Sequence, residues 1–243
     1  STLNLTFPEI YLDSGDDKKI VNRINKNMKE YMDTMRQSIT APTSSCPSPG
    51  DYLREFQGEE IIFAITVSSA ISGSYNSAVI AEEIVANQGG TKFLHVFDSL
   101  SASVGETLVA LKVHELLQQN LEYQNIVKKI NYYIGGMKTL FVLESMDNLI
   151  KSGRLSKLKG KIASVLNMRL ILGDDEEGGI QLVEKVRGSR KVFKRLMEII
   201  GEQGEILDDK VLGIAHCNAL EKAKSLRDEL LLKYPFKDII IVE

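Results

Sequence analysis

Glu60-Ile61-Ile62-Phe63-Ala64-Ile65-Thr66-Val67, followed at once by Ser68-Ser69-Ala70-Ile71-Ser72-Gly73-Ser74-Tyr75-Asn76-Ser77, decides the fold of this chain. The first eight residues form a short apolar, β-branched run of buried-strand type, and residues 75–87 carry the alanines and isoleucines of a helix. The order is strand, hydroxyl-rich loop, helix. In an open α/β sheet such a loop sits at the carboxyl end of its strand, where crevices form. The helix behind it begins with unpaired N–H groups and a partial positive charge. An anion can be held there without lysine or histidine, and neither residue occurs in this loop.

A second stretch of the same character precedes it, Thr43-Ser44-Ser45-Cys46-Pro47-Ser48-Pro49-Gly50. Ser48 reads as an N-cap, Pro49 takes the first helical position, and Asp51 stands three residues after the cap, where a capping partner belongs. A helix is expected to start there. Serine-rich turns commonly serve only their own backbone, and for either loop alone that is the better reading. Two such loops, each entering a helix, favour a site that holds an anion by hydrogen bonds rather than one that breaks it.

Outward from these loops, residues 7–12 read as a strand, and residues 19–36 as a helix with Ile20, Ile24, Met28, Tyr31 and Met35 at helical spacing. Residues 92–97 read as a strand. Residues 104–121 read as an amphipathic helix with Leu108, Leu111 and Leu116 inward, followed by a helix from Tyr123 that Gly135-Gly136 closes. Alternating strands and helices imply a mainly parallel sheet covered on both faces. The fold class expected is α/β in two domains. Residues 1–136 form an N-terminal three-layer domain carrying the serine-rich loops, and residues 137–243 a C-terminal α+β domain. The second domain starts with a strand at 139–143. A β-hairpin follows from 168–172 and 179–185 around the polar turn at 174–178, then a helix at 189–203, a strand at 210–215, a helix at 220–233 and a last strand at 238–242.

With 30 basic and 33 acidic residues among 243, the net charge is −3. No global pull toward nucleic acid or an anionic membrane follows. No apolar run reaches the roughly 20 residues of a membrane helix, and no secretory h-region opens the chain, so the expected location is the cytoplasm. The two cysteines, Cys46 and Cys217, stand far apart and suggest no disulfide framework.

Other chemistries fit less well. A serine hydrolase or transferase using Ser72 on a small acyl substrate is the alternative of a different class. It lacks a G-x-S-x-G elbow, and His95, His114 and His216 all lie outside the serine loops. His95 sits within an apolar strand and reads as a core residue. No G-x-x-x-x-G-K-[ST] string is present to cradle a nucleotide phosphate. His216-Cys217 is the one metal-like pair and lacks the company a site needs, so no metal and no cofactor are expected. Residues 148–173 carry Lys151, Arg154, Lys157, Lys159, Lys161 and Arg169 among neutral residues up to Gly173. Such a run is commonly a solvated face. Its functional readings are a docking surface for an anionic group, with arginine as the bidentate grip, or a nucleic-acid contact, which would bind with a steep salt dependence.

The motifs resemble those of the DegV family. Residues 42–50 are similar to its P-T-T-S-Q-P-S-P-G loop, and residues 68–78 to its S-S-x-L-S-G-T-Y-x-S-A loop, with Ser44 and Ser74 in place of threonines, Ile71 of a leucine and Cys46 of a glutamine. Asp98-Ser99 with Ser103 and Gly105 is similar to D-S-x-x-x-S-x-G. Leu149-Ile150-Lys151-Ser152-Gly153-Arg154-Leu155 is similar to L-x-K-G-G-R-I. Ser1-Thr2-Leu3-Asn4-Leu5 looks like the back half of the family's T-D-S-T-x-D-L. The resemblance thus implies a missing first strand and, after Glu243, a missing segment with the H-x-G-x-G histidine that helps hold the ligand.

The resemblance implies a bacterial lipid-binding protein that is not itself an enzyme. It holds a long-chain fatty acid such as palmitate and presents it to a separate ATP-binding fatty acid kinase subunit. Carried over by position, Ser44, Ser45, Ser72 and Gly73 hold the carboxylate, while Arg154 and Arg187 serve the kinase or the transferred phosphate. Transient membrane contact for lipid exchange is part of the same expectation, and nucleic acid is not. Magnitudes divide the labour: about fifteen buried methylenes are worth on the order of 12 kcal/mol gross at about 0.8 each, against about 1 kcal/mol for each net hydrogen bond. The tail gives affinity, and the hydroxyls give orientation.

Overall fold

In the computed structural model, residues 9–13, 19–22, 43–57, 61–88, 93–143, 145–155, 158, 168–204 and 206–243 are described. The chain starts with an antiparallel sheet in which β1 (Glu9–Asp13) lies between β2 (Lys19–Asn22) and β3 (Thr43–Ser45). The helix expected over residues 19–36 is corrected at its start, since Lys19–Asn22 is a strand; residues 23–36 lie outside the described residues. Ile20 and Val21 are β-branched and pair with Leu12 and Tyr11, and that ladder outweighs a helical spacing of apolar residues.

The remaining elements alternate as the strand–loop–helix segment foretells. They are α1 (Pro49–Phe56), β4 (Ile61–Thr66), α2 (Ser74–Gln88), β5 (Phe93–Asp98), α3 (Val104–Leu117) and α4 (Tyr123–Gly136). β4 and β5 pair in parallel, Ile61 opposite Phe93 through Thr66 opposite Asp98. The two-residue period of the strands then sorts their side chains. Phe63, Ile65 and Phe97 join Val109, Val113 and Leu116 of α3 and Ile126, Ile130 and Ile134 of α4 in one core. Ile62, Ala64, Leu94 and Val96 join Phe56 of α1 and Ala78, Ala81 and Val85 of α2 in another. Helices therefore cover both faces of the parallel pair.

One detail of the helices departs from expectation and another agrees with it. Leu111 is 49% exposed, because Val109, Val113 and Leu116 form the inward stripe and a residue two positions on from Val109 stands about 200° round the helix. Gly135-Gly136 closes α4 as expected. Both lie within it, and the Met137 N–H caps it on the Ile134 carbonyl.

The chain divides into two compact units, one of residues up to Ala102 with Val109–Met137 and Glu176–Gly179, the other of Ser103–Leu108, Lys138–Asp175 and Ile180–Glu243. In the second unit β6 (Leu140–Val142), β7 (Met168–Asp174) and β8 (Ile180–Arg187) form an antiparallel sheet. With them come α5 (Asp147–Lys151), α6 (Ser189–Gln203), the 3-10 turn Leu207–Asp209, β9 (Val211–Ala215), α7 (Leu220–Lys233) and β10 (Asp238–Val242), which runs parallel to β9. Three apolar clusters hold this unit. Leu155, Leu158, Leu170 and Leu172 pack together, Ile171 packs with Val192, Leu196 and Ile199, and Met197 packs with Ile214, Ala223 and Leu230. Parallel and antiparallel sheets with helices make the fold mixed α/β. Among the described residues no helix is long and apolar enough to cross a membrane.

Candidate functional site

The first hydroxyl loop leaves β3 and enters α1 through a capping box. The Asp51 N–H donates to Ser48 Oγ at 3.2 Å, and the Ser48 N–H donates to Asp51 Oδ2 at 2.7 Å. The Ser48 hydroxyl, then its N–H, holds the Asp51 carboxyl below its usual pKa, and Arg54 adds an ion pair. The chain's own carboxylate thus stands at the start of α1 and engages the Ser48 hydroxyl. Ser44 and Ser45 are both exposed, and β3 pairing sets them opposite Ile10 and Glu9.

In the second loop, Ser68 is completely buried. Its carbonyl accepts from the N–H groups of Ile71 and Ser72, both at 3.1 Å, which turns the chain toward Gly73 and α2. Ser72 Oγ lies 2.9 Å from Ser74 Oγ and accepts from the Ser74 N–H at 3.2 Å. Gly73 gives its carbonyl to the Ser77 N–H at 3.0 Å. Among the described residues the hydroxyl of Ser72 is therefore partnered by Ser74 rather than by an imidazole or carboxylate that could activate it. His95, the residue weighed for that role, packs edge-on to Phe97 with ring centroids 4.7 Å apart, and burial lowers its pKa.

The structure brings the two loops together at Cys46. Its Sγ is 3.8 Å from Ser77 Oγ, and a Cβ added to Gly73 would meet that sulfur at 3.1 Å. A side chain at position 73 would therefore press on the sulfur unless it moved by a few tenths of an ångström.

A third loop, not read as a site from the sequence beyond the motif around Asp98-Ser99, braces the second. The Asp98 carboxylate at the end of β5 accepts from the N–H of Ser69 at 3.1 Å and from that of Leu100 at 3.1 Å. Ser99 Oγ and the Ser101 backbone bond each other, both at 3.2 Å, and the Ser101 carbonyl accepts from the Ser68 N–H at 2.8 Å. Thr66, Ser68, Ser74, Ser99 and Ser101 are all buried. The serines therefore divide into a buried set that builds the loops and a more accessible set that includes Ser44, Ser45, Ser48, Ser69 and Ser72.

Arg154 and Arg187 lie in the second unit and both are exposed, Arg154 in the turn after α5 and Arg187 as the last residue of β8, opposite Met168. The basic stretch is anchored by apolar residues, since Leu155 and Leu158 between its cations are buried; Lys157, Lys159 and Lys161 lie outside the described residues. His216 is held by its neighbours. Its Nδ1 accepts from the Ala219 N–H at 3.5 Å and stands 3.8 Å from Glu243. Among the described residues no three His, Cys, Asp or Glu side chains are grouped to hold a metal ion. Glu106, unmarked by any sequence pattern weighed above, accepts from the Ser103 N–H at 3.0 Å, and desolvation pushes its carboxyl up to about 7.

Residues 4–243 match the family model of the DegV proteins, described as uncharacterised. A DegV domain-containing protein of Streptococcus pneumoniae is 39% identical over 190 residues, 78% of this chain and 68% of its own length. Two solved structures superpose closely. A DegV family protein from Ruminococcus gnavus, refined with vaccenic acid, has a TM-score of 0.89 at 34% identity and covers 97% of this chain and 83% of its own. The Streptococcus pneumoniae Fatty Acid Kinase (Fak) B3 protein loaded with linoleic acid has a TM-score of 0.85 at 34% identity, over 97% of this chain and 82% of its own.

Proposed function

The chain belongs to the DegV family, and on that premise we propose that it binds a long-chain fatty acid in the cytoplasm and presents it to a separate ATP-using kinase subunit. The carboxylate is taken by the hydroxyls of Ser44, Ser45 and Ser72 and by the N–H of Gly73, at the start of α2. The acyl chain runs into the apolar layer between the β4–β5 pair and its helices. The protein itself breaks no bond.

One observation carries this reading: the contact of Cys46 with Gly73 and Ser77. It sets the first hydroxyl loop against the second, which follows the parallel strand β4 at its carboxyl end and leads into a helix start that favours negative charge. The likeness to two fatty-acid-loaded proteins at 34% identity supports the same ligand class. Ser72 as a nucleophile is the weaker reading, since its hydroxyl is paired with that of Ser74.

Delivery is separable from binding. Arg154→Ala and Arg187→Ala are expected to keep the acid bound yet lower acyl phosphate formation by about tenfold, the scale of one charge-assisted contact. Lysine at either position is expected to restore only part, because the planar bidentate fork is lost. A reconstituted assay with lipid-loaded protein, kinase and ATP measures both. Wild-type rates in both alanine variants would assign these arginines to a solvated face.

A further inference from the structure

The turn Glu176–Gly179 belongs to the same unit as the hydroxyl loops, and Gly178 lies directly against the second of them. Its carbonyl accepts from Ser68 Oγ at 2.8 Å, a contact between residues 110 apart in the chain. Gly178 has φ +75°, and a Cβ there would collide with Ser68 Oγ and lie 2.8 Å from the Leu100 Cα. Both the backbone conformation and the space exclude a side chain.

Ser68 spends every polar atom on the loop. Its N–H donates to the Ser101 carbonyl at 2.8 Å, and its carbonyl receives the N–H groups of Ile71 and Ser72. Its hydroxyl accepts from the Ala70 N–H at 3.2 Å while donating to Gly178. At 0% exposure it is closed off from any ligand, so its value lies in where it puts Ser72 and Gly73. A buried, fully bonded hydroxyl has one geometry available to it, and losing a partner leaves the other unsatisfied.

We propose that Ser68 and Gly178 are positioning residues for the ligand's head group: together they hold the Ser68–Ser72 turn in the one shape that aims the Ser72 hydroxyl and the Gly73 N–H at a carboxylate. This rests on the binding reading given above and adds to it a source of head-group selectivity outside the contacting residues. A pin of this kind acts on ligands that use the loop. It leaves untouched ligands held by their tails alone.

The test titrates delipidated protein with hexadecanoic acid and, separately, with its methyl ester, for wild type, Ser68→Ala, Gly178→Ala and the control Ser72→Ala. The ester has the same tail without the charge. Ser68→Ala and Gly178→Ala are each expected to weaken the acid about tenfold and to leave ester affinity at the wild-type value. A carboxyl-labelled acid should show a shifted 13C resonance in both variants. Equal weakening of acid and ester would make the two residues merely structural and overturn the proposal. Unchanged acid affinity in both, with Ser72→Ala weakened, would overturn the positioning role while leaving the site in place. Unchanged acid affinity in Ser72→Ala would overturn the site itself.

Discussion

Replacing Ser44 and Ser72 together by alanine is expected to weaken long-chain fatty acid binding by about a hundredfold. In the proposed site each hydroxyl would donate to a charged acceptor, a bond worth about 1.5 to 3 kcal/mol, and about 1.4 kcal/mol is tenfold in affinity. In the proposed site one carboxylate takes both hydroxyls, so the pair is expected to fall short of the sum of the single losses. Both rim the site rather than build it, Ser44 being exposed and Ser72 half-buried, so the fold should survive. Calorimetric titration gives the affinity, and far-ultraviolet circular dichroism checks the fold. Unchanged affinity in the double variant would put the carboxylate elsewhere.

The largest effect on stability is expected at Phe97, whose replacement by alanine should cost about 3 to 5 kcal/mol. Phe97 is 1% exposed, lies parallel to the Phe63 ring with centroids 6.1 Å apart, and meets α3 and α4 across the core. The cavity would open where strand and helices share one apolar layer, with little room to collapse. Leu111→Ala is the natural comparison: on the exposed side of α3 it should move stability by no more than about 0.5 kcal/mol. Urea unfolding reads both as midpoint shifts at unchanged slope. Equal effects at the two positions would contradict the assignment of the inward face of α3.

The site was legible where its signals are local. The capping box of α1 is spelled by Ser48, Pro49 and Asp51, and the β4–loop–α2 unit by a β-branched run turning into serine and glycine. Elements that depend on distant partners were not legible. Lys19–Asn22 pairs with β1, and its apolar spacing fits a helix equally well. Nor does composition reveal which serines build the loops and which rim them. Ser68 and Ser72 sit in one loop with the same hydroxyl, yet Ser68 is sealed by Gly178 from a turn far along the chain. Asp98 looks like an unwelcome charge beside an anion site until its bonds to the Ser69 and Leu100 N–H groups are seen. Likewise, the fit of Gly73 against Cys46 depends on two loops that only the fold brings together.

Native mass spectrometry of the protein as purified, followed by solvent extraction and identification of what is released, tests the central claim most directly. The account predicts one long-chain fatty acid per chain, because burial of its methylenes outweighs every other term, and it predicts that the delipidated protein takes up added hexadecanoic acid again. Repeated preparations that carry no fatty acid and take none up would contradict it.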